Sequence, residues 1–382
     1  MFAFLLGVAV TTFLVKFARI SHVITLFDQR RRESFDLSDP YGHVKVDESN
    51  AVSLNELREF QSHNHDKEFD QDILADVLYS KVRILCWVMT NPANLHKKTI
   101  HIKATWAKRC NKILYISSEV DPDFPTVKVK SKEGRNYLWQ KTRHTFQLLY
   151  EEYLDEADWF IKADDDTFLI LENLRYLLSG YDPSEPIYFG RKFKPYVQQG
   201  YMSGGAGYVV SRAGVKNLVE KVFTDSRKCK SGDFVGGAED VEIGKCLQNA
   251  GVKAGDSRDP NGRDRFHPFI PEHHLVPGIV PNKFWYWNYV YYKTSSGPEC
   301  CSDYSISFHY VSPNAMYLLE YMIYHMKPFG VGHYTCPSEA KPIINKLLVG
   351  SEEGKAAVET GEKKDTKEQE GDKELGNDTQ QR

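Results

Sequence analysis

A dominant charge, a paired-cysteine metal motif, a phosphate-binding loop and a full-length apolar run are all missing from this 382-residue chain. The formal net charge of -3 gives no whole-chain basic field, which argues against nucleic acid as a partner. Seven cysteines are present, but no CxxC pair, so their spacing does not suit a zinc site. No GxxxxGK[ST] segment occurs, which argues against a P-loop NTPase. No internal repeat is visible. The uncharged stretch Met1 to Val15 spans only about 22 Å as a helix, short of a roughly 30 Å hydrocarbon core. It is read as a short signal anchor over 1–27, with Lys16 and Arg19 snorkelling and the helix running on to Phe27. The rival is a cleaved signal peptide, but no clear small-residue cleavage site follows. Arg30, Arg31 and Arg32 sit awkwardly with the positive-inside rule if the rest is luminal, and a truncated start would explain a missing basic tail.

What is abundant points to a large α/β domain. Hydrophobic residues make up 41% of the chain and aromatics 13%, enough to bury a sizeable core and to offer flat faces to a sugar ring. Residues 28–79 are polar and read as a stem, with a weak helical pattern near Ile73, Val77 and Leu78. The main domain is expected over 80–345. Val82 to Met89 is a nearly continuous apolar run and suits a buried parallel strand. Asn111 to Ser117 reads as the next strand, with a crossover helix over Leu95 to Arg109. Trp139, Phe146, Leu149, Tyr150 and Tyr153 recur at helical spacing. The strand Trp159 to Ala163 follows, and Ile187–Gly190 and Gly207–Val210 add more. This alternation predicts a mostly parallel sheet with helices on both faces. The tail over 346–382 is Glu/Lys-rich and is expected to be disordered.

Asp164, Asp165 and Asp166 stand at the carboxyl end of the apolar strand, where open α/β sheets bind ligands. Three packed carboxylates repel one another and lose hydration, and a divalent cation relieves both costs. In an extended segment Asp164 and Asp166 share one face, while Asp165 faces the other way. Oxygen ligands suit Mg²⁺ or Mn²⁺, and His309, after the strand-like Ile306–Phe308, can complete an Asp/His set. Such a metal can neutralise a departing diphosphate, as a nucleotide-sugar donor requires. A bare DDD is equally well a solvated acidic turn; the strand before it favours the site.

An inverting transfer also needs a base opposite the leaving group. Glu239 and Asp240 are both candidates, in the first turn of a helix whose dipole favours the ionised carboxylate. An ordinary acidic helix start is the alternative. Gly200 to Gly207 is a glycine-rich turn that permits close backbone approach to a ligand, or is a plain turn. Phe284 to Tyr289 can stack a sugar ring or be core.

Asp158 to Thr167 (DWFIKADDDT) resembles the metal motif of the β1,3-glycosyltransferase family that includes the fringe proteins. Longer stretches are similar to its branch that adds galactose to N-acetylgalactosamine: VRILCWVMT from Val82, KATWAKRCNK from Lys103, PIYFGRKFKPYVQQGYMSGGAG from Pro186, AGDSRD from Ala254, FWYWNY from Phe284 and CCSDYSISFHY from Cys300. The resemblance covers roughly residues 75 to 335. It implies a GT-A fold, a single-pass type II Golgi membrane protein, Mn²⁺ dependence, and inverting transfer from UDP-galactose to O3 of GalNAc on Ser or Thr of glycoproteins. It also implies a homodimer. Asp164, Asp166 and His309 match the metal site. Met89, Glu133, Gly134, Arg135, Trp139, Lys162, Asp164 and Tyr310 fall on the donor side. Asp240 matches the base, with Glu239 beside it; Trp285, Tyr201 and Gly205 fall on the acceptor side. Cys336 lies outside the family's six-cysteine pattern and is the expected unpaired thiol, while Cys300 and Cys301 pair with each other or elsewhere. The glycine-rich run Ser231–Gly237 departs from the pattern and is expected to alter the acceptor side. A transferase with another donor, or a catalytically silent relative that assists folding, are the alternatives.

Overall fold

The computed structural model describes residues 73–326. The expected anchor, most of the stem, Cys336 and the charged tail lie outside them. The strands are β1 (Ile84–Met89), β2 (Lys112–Ser117), β3 (Thr126–Lys128), β4 (Trp159–Asp164), β5 (Phe168–Leu169), β6 (Ile187–Gly190), β7 (Lys192–Phe193), β8 (Tyr201–Met202), β9 (Tyr208–Ser211), β10 (Lys253–Ala254), β11 (Phe266–His267) and β12 (Ser307–Phe308). The longer helices are α1 (Ile73–Lys81), α2 (Leu138–Glu152), α3 (Leu171–Leu178), α4 (Arg212–Val222), α5 (Glu239–Asn249) and α6 (Pro313–Tyr324).

Seven strands form one sheet in the order β10-β6-β9-β4-β1-β2-β3. Every residue of β1 is buried, because the sheet is covered on both sides. Ile84, Cys86 and Val88 pack with α1, α3 and α6; Leu85, Trp87 and Met89 pack with α2, α4 and α5. Trp87, Trp106, Trp139 and Trp159 are all fully buried, so much of the aromatic content is core. Within the sheet β9 alone runs antiparallel, against both β4 and β6. A parallel return needs a crossover; the chain from β6 to β9 instead goes out through the small β7–β8 pair and turns back at Gly204–Gly207. The weak pattern at Ile73 becomes α1, which buries Leu78 and crosses the boundary expected at 79/80.

The crossover at 95–109 is a broken helix: a π-helical turn Leu95–Thr99, a regular segment Ile100–Ala104 and a tight turn Trp106–Arg109. Thr105 ends the regular segment with non-helical backbone (φ -110, ψ -109), its amide and hydroxyl both bonding back to the His101 carbonyl, at 3.1 and 2.7 Å. Disulfides join Cys86 to Cys110, Cys229 to Cys246 and Cys300 to Cys301.

α6 starts cleanly, with Ser312 accepting from the Ala315 amide and Pro313 in the first turn. It buries Glu320 completely, and Arg109 binds that carboxylate through two nitrogens at 2.9 and 2.7 Å. Glu320→Ala removes the bidentate partner and leaves Arg109 only Glu172 at 3.5 Å, so it should cost about 3 kcal/mol in denaturant unfolding. A loss under ~1 kcal/mol, the scale of an exposed pair, would show that the pair is not structural.

Candidate active site

The site forms where β4 ends. β1 and β4 pair in parallel so that Met89 lies opposite Asp164. Asp165 turns away from the cleft, accepting from Asn94 Nδ2 at 2.8 Å and Thr90 Oγ1 at 3.1 Å. Burial and the neighbouring Asp166 push its carboxyl above the usual range. The strand ends at Asp164, and Asp165 and Asp166 lie in a turn closed by the Thr167 amide on the Asp164 carbonyl at 3.1 Å; this turn, rather than the extended segment expected, brings Asp164 and Asp166 together at His309. His309 reaches them because β12 pairs with β5, setting Phe308 opposite Phe168, and because the Val311 amide bonds the Asp166 carbonyl at 2.9 Å.

His309 Nε2 lies 3.1 Å from Asp166 and 3.8 Å from Asp164, and the three side chains offer ligand atoms all within 4.8 Å of one another. His309 Nδ1 sits 3.3 Å from the Pro268 carbonyl, which can only accept. That bond places a proton on Nδ1 and directs Nε2 at the two carboxylates, the usual outer-shell arrangement for a ligating imidazole. Burial alone would raise Asp166, but His309 and Lys98 outweigh it and hold the carboxyl below its ordinary range. Two carboxylates and one imidazole fit Mn²⁺ or Mg²⁺.

A cleft of about 450 Å³ opens from these ligands, and Met89, Arg135, Lys162, Asp164, His309 and Tyr310 contribute to its wall. Lys162 is buried at the cleft floor, with Nζ 2.5 Å from Asp164, 3.0 Å from the Gly204 carbonyl and 4.0 Å from Glu239. Burial works to lower its pKa, yet the surrounding carboxylates raise it and keep it charged. Facing the ligands is the first turn of α5. Glu239 accepts from Tyr208 at 2.7 Å and Thr142 at 2.9 Å and is buried. Asp240 accepts only from the Gly204 and Val241 amides, at 3.2 and 2.9 Å, and stands in the cleft wall. The structure thus distinguishes two residues that sequence left equivalent: both line the cleft, but Glu239 is buried with Oε1 held by two hydroxyls, while Asp240 is half-buried and accepts only backbone amides.

Three donor-side expectations fall elsewhere. Trp139 is fully buried, its indole nitrogen donating to the Ser231 carbonyl at 3.0 Å, so neither ring face is open to a base. Its helical spacing with Phe146 and Leu149 is a core spacing. Glu133 is paired with Lys141 at 2.7 Å, and Gly134, at φ +106, shapes the turn beside it; neither lines the cleft. The Ser231–Gly237 run is tied down by Trp139 and by the Gly236 amide on the Asn136 carbonyl, and it ends with Gly237 in the cleft wall.

The acceptor-side expectations Tyr201, Gly205 and Trp285 all line the cleft. Tyr289, from the aromatic run Phe284–Tyr289, joins them, as do Phe193 and Tyr196, two aromatics not named as site residues from the sequence. The Tyr196 and Tyr289 hydroxyls meet at 2.7 Å. Tyr196 and Tyr310 both hold left-handed backbone, at φ 69 and φ 58, a strained state for a bulky residue that is characteristic of functional sites. No local sequence signal marks such a conformation in tyrosine.

A parallel-sheet α/β domain with an Asp-Asp-His set able to hold a cation at a strand end, and a helix-borne carboxylate lining the same cleft, suits a metal-assisted transferase. The comparisons agree. Residues 83–259 match the Fringe-like family. Over 270 residues the chain is 50% identical to the glycoprotein-N-acetylgalactosamine 3-beta-galactosyltransferase 1 of Xenopus laevis, covering 70% of this chain and 73% of that protein. A beta-1,3-glucosyltransferase of Mus musculus is 29% identical over 154 residues, 40% of this chain and 30% of that one. The chain belongs to the Fringe-like glycosyltransferases, in the group of the glycoprotein-N-acetylgalactosamine 3-beta-galactosyltransferases.

Proposed function

We propose that this chain transfers galactose from UDP-galactose to O3 of GalNAc linked to Ser or Thr of glycoproteins, with inversion, on a GT-A fold that uses Mn²⁺. The observation that carries this is the placement of Asp164, Asp166 and His309 across one cleft from Asp240, in a chain half identical to a named 3-beta-galactosyltransferase. Held by the Asp-Asp-His set, Mn²⁺ would neutralise charge developing on the diphosphate. Asp240 takes the proton of the acceptor hydroxyl as its oxygen bonds the anomeric carbon. The bond to UDP breaks on the opposite face, and its electron pair leaves with the diphosphate. Lys162 holds Asp164 in place at the cleft floor. Trp285 and the neighbouring aromatics give the acceptor sugar an apolar face.

The proposal extends to a single-pass type II Golgi membrane protein with a luminal catalytic domain. Its support is the apolar Met1–Val15 stretch and three disulfides, which suit an oxidising compartment. Among the described residues no helix is long and apolar enough to cross a membrane. A homodimer belongs to the same proposal, on resemblance alone, and light scattering of the purified protein reads it.

A donor panel tests the reaction. UDP-galactose should be turned over faster than UDP-glucose or UDP-N-acetylglucosamine on a GalNAc-peptide. Preference for another sugar would replace the galactose assignment, and no turnover with any donor would favour a silent relative.

The base also sets a pH profile. Burial, the largest influence on Asp240, raises its pKa above the ordinary value. A protonated carboxyl cannot accept a proton, so kcat/KM should fall about tenfold per pH unit below that raised value. The acid limb should therefore lie above ~3.9, the unperturbed aspartate value, and a limb at or below it would contradict the assignment.

A further inference from the structure

The glycine-rich turn contains two kinds of glycine. Gly200 and Gly207 have left-handed backbone, at φ +83 and +78, which by itself explains glycine there. Gly204 and Gly205 do not, so alanine could adopt their backbone. What excludes a side chain at these two positions is the site itself. A Cβ on Gly205 would overlap the His309 ring and stand 2.8 Å from Nε2. A Cβ on Gly204 would stand 2.9 Å from Glu239 Oε2, 3.4 Å from Asp240 Cβ and 3.5 Å from Lys162 Nζ.

The backbone of the same two residues is bonded to both sides of the cleft. The Gly204 amide donates to Asp240, and the Gly204 carbonyl accepts from Lys162. The Gly205 carbonyl accepts from Thr167 Oγ1 at 2.9 Å, while that hydroxyl accepts from the Asp164 amide at 3.2 Å. The turn thus touches the ligand-bearing loop, the ligating imidazole and the helix that carries the base.

We propose that Gly204 and Gly205 are positioning residues that register the metal-ligand side of the cleft against the base, Gly205 acting through His309 and Gly204 through the first turn of α5. The proposal rests on the reading of Asp164, Asp166 and His309 as cation ligands and of Asp240 as base. The two glycines are adjacent, yet their replacement should damage different quantities. Gly205→Ala must push aside a ring that is anchored at Nδ1, so Nε2 leaves the carboxylates. Gly204→Ala must push aside the Glu239 carboxylate, the residue next to Asp240 in the first turn of α5, and leaves the ligands alone.

The test measures Mn²⁺ binding directly, from the electron paramagnetic resonance signal of free Mn²⁺ with UDP present, on the full chain. Gly205→Ala should weaken Mn²⁺ by about 10–100-fold, the scale of losing an outer-shell support, and should regain most of its kcat at saturating Mn²⁺. Gly204→Ala should bind Mn²⁺ within about twofold of wild type but lose at least ~10-fold in kcat at saturation, with a displaced acid limb in its pH profile. Because Gly205 acts through the ring, Gly205→Ala should add nothing to the Mn²⁺ defect of His309→Ala. If Gly205→Ala alone does not fold, the double variant should fold like His309→Ala, since the obstructing ring is gone. Equal loss of Mn²⁺ affinity in both glycine variants, an additive defect in the double variant, or a double variant that also fails to fold would overturn the proposal. A wild type that binds Mn²⁺ but transfers no galactose would remove the functional reading while leaving the Gly205 result intact.

Discussion

Asp166→Asn should lose nearly all Mn²⁺-dependent transfer while melting like the wild type. The side chain lies between His309 at 3.1 Å and Lys98 at 3.5 Å, which together hold it ionised against its burial. An amide keeps the shape and removes the charge that a divalent cation requires. Outer-shell partners of a metal are commonly worth 10–100-fold, so loss of a ligand should exceed about 10²-fold at limiting Mn²⁺. The fold should survive because the two core layers are built from other residues. The measurement is the initial rate against Mn²⁺ concentration, paired with a thermal melt. Substantial turnover at wild-type Mn²⁺ affinity would remove Asp166 from the ligand set.

Asp240→Asn should separate binding from chemistry. The amide oxygen can still accept from the Gly204 N–H, so the turn keeps its contact. Met89, Arg135 and Lys162 keep their places in the wall, and UDP affinity should change little. What disappears is the group that accepts the acceptor's proton, and kcat should fall by ~10²-fold or more. Glu239 is poorly placed to substitute, because the Tyr208 and Thr142 hydroxyls occupy its Oε1 and its Oε2 faces Lys162. Calorimetry with UDP and a rate at saturating substrates decide it. An unchanged kcat would move the base to another group.

Much of this could be read before any coordinates, and the limits have physical reasons. The β1 run is apolar at every position because both faces of the sheet are covered, and that pattern is local. The DDD cluster is likewise local in that it ends a strand, but the direction of Asp165 is set by a turn after Asp164 and by its bonds from Asn94 and Thr90, which sequence alone does not show. The reversed strand β9 was not legible, since direction depends on how the intervening chain turns. His309 was only a candidate until the β5–β12 pairing set it beside Asp166. Glu239 and Asp240 could not be ranked, because consecutive helix residues point about 100° apart and only distant hydroxyls show which one enters the core. Trp139 was placed on the donor side by the resemblance, while its spacing with Phe146 and Leu149 already described the buried face it occupies. The glycines at 204 and 205 were legible as a close approach, but to the site's own side chains as well as to a ligand.

The most direct measurement is galactose transfer from UDP-galactose to a GalNAc-peptide, with Mn²⁺ or with EDTA, followed by magnetic resonance of the product linkage. The expected result is a β-linked galactose on O3, formed with Mn²⁺ and abolished by EDTA. An α-linked product, or transfer undiminished by EDTA, would contradict an inverting enzyme that works through Asp164, Asp166 and His309.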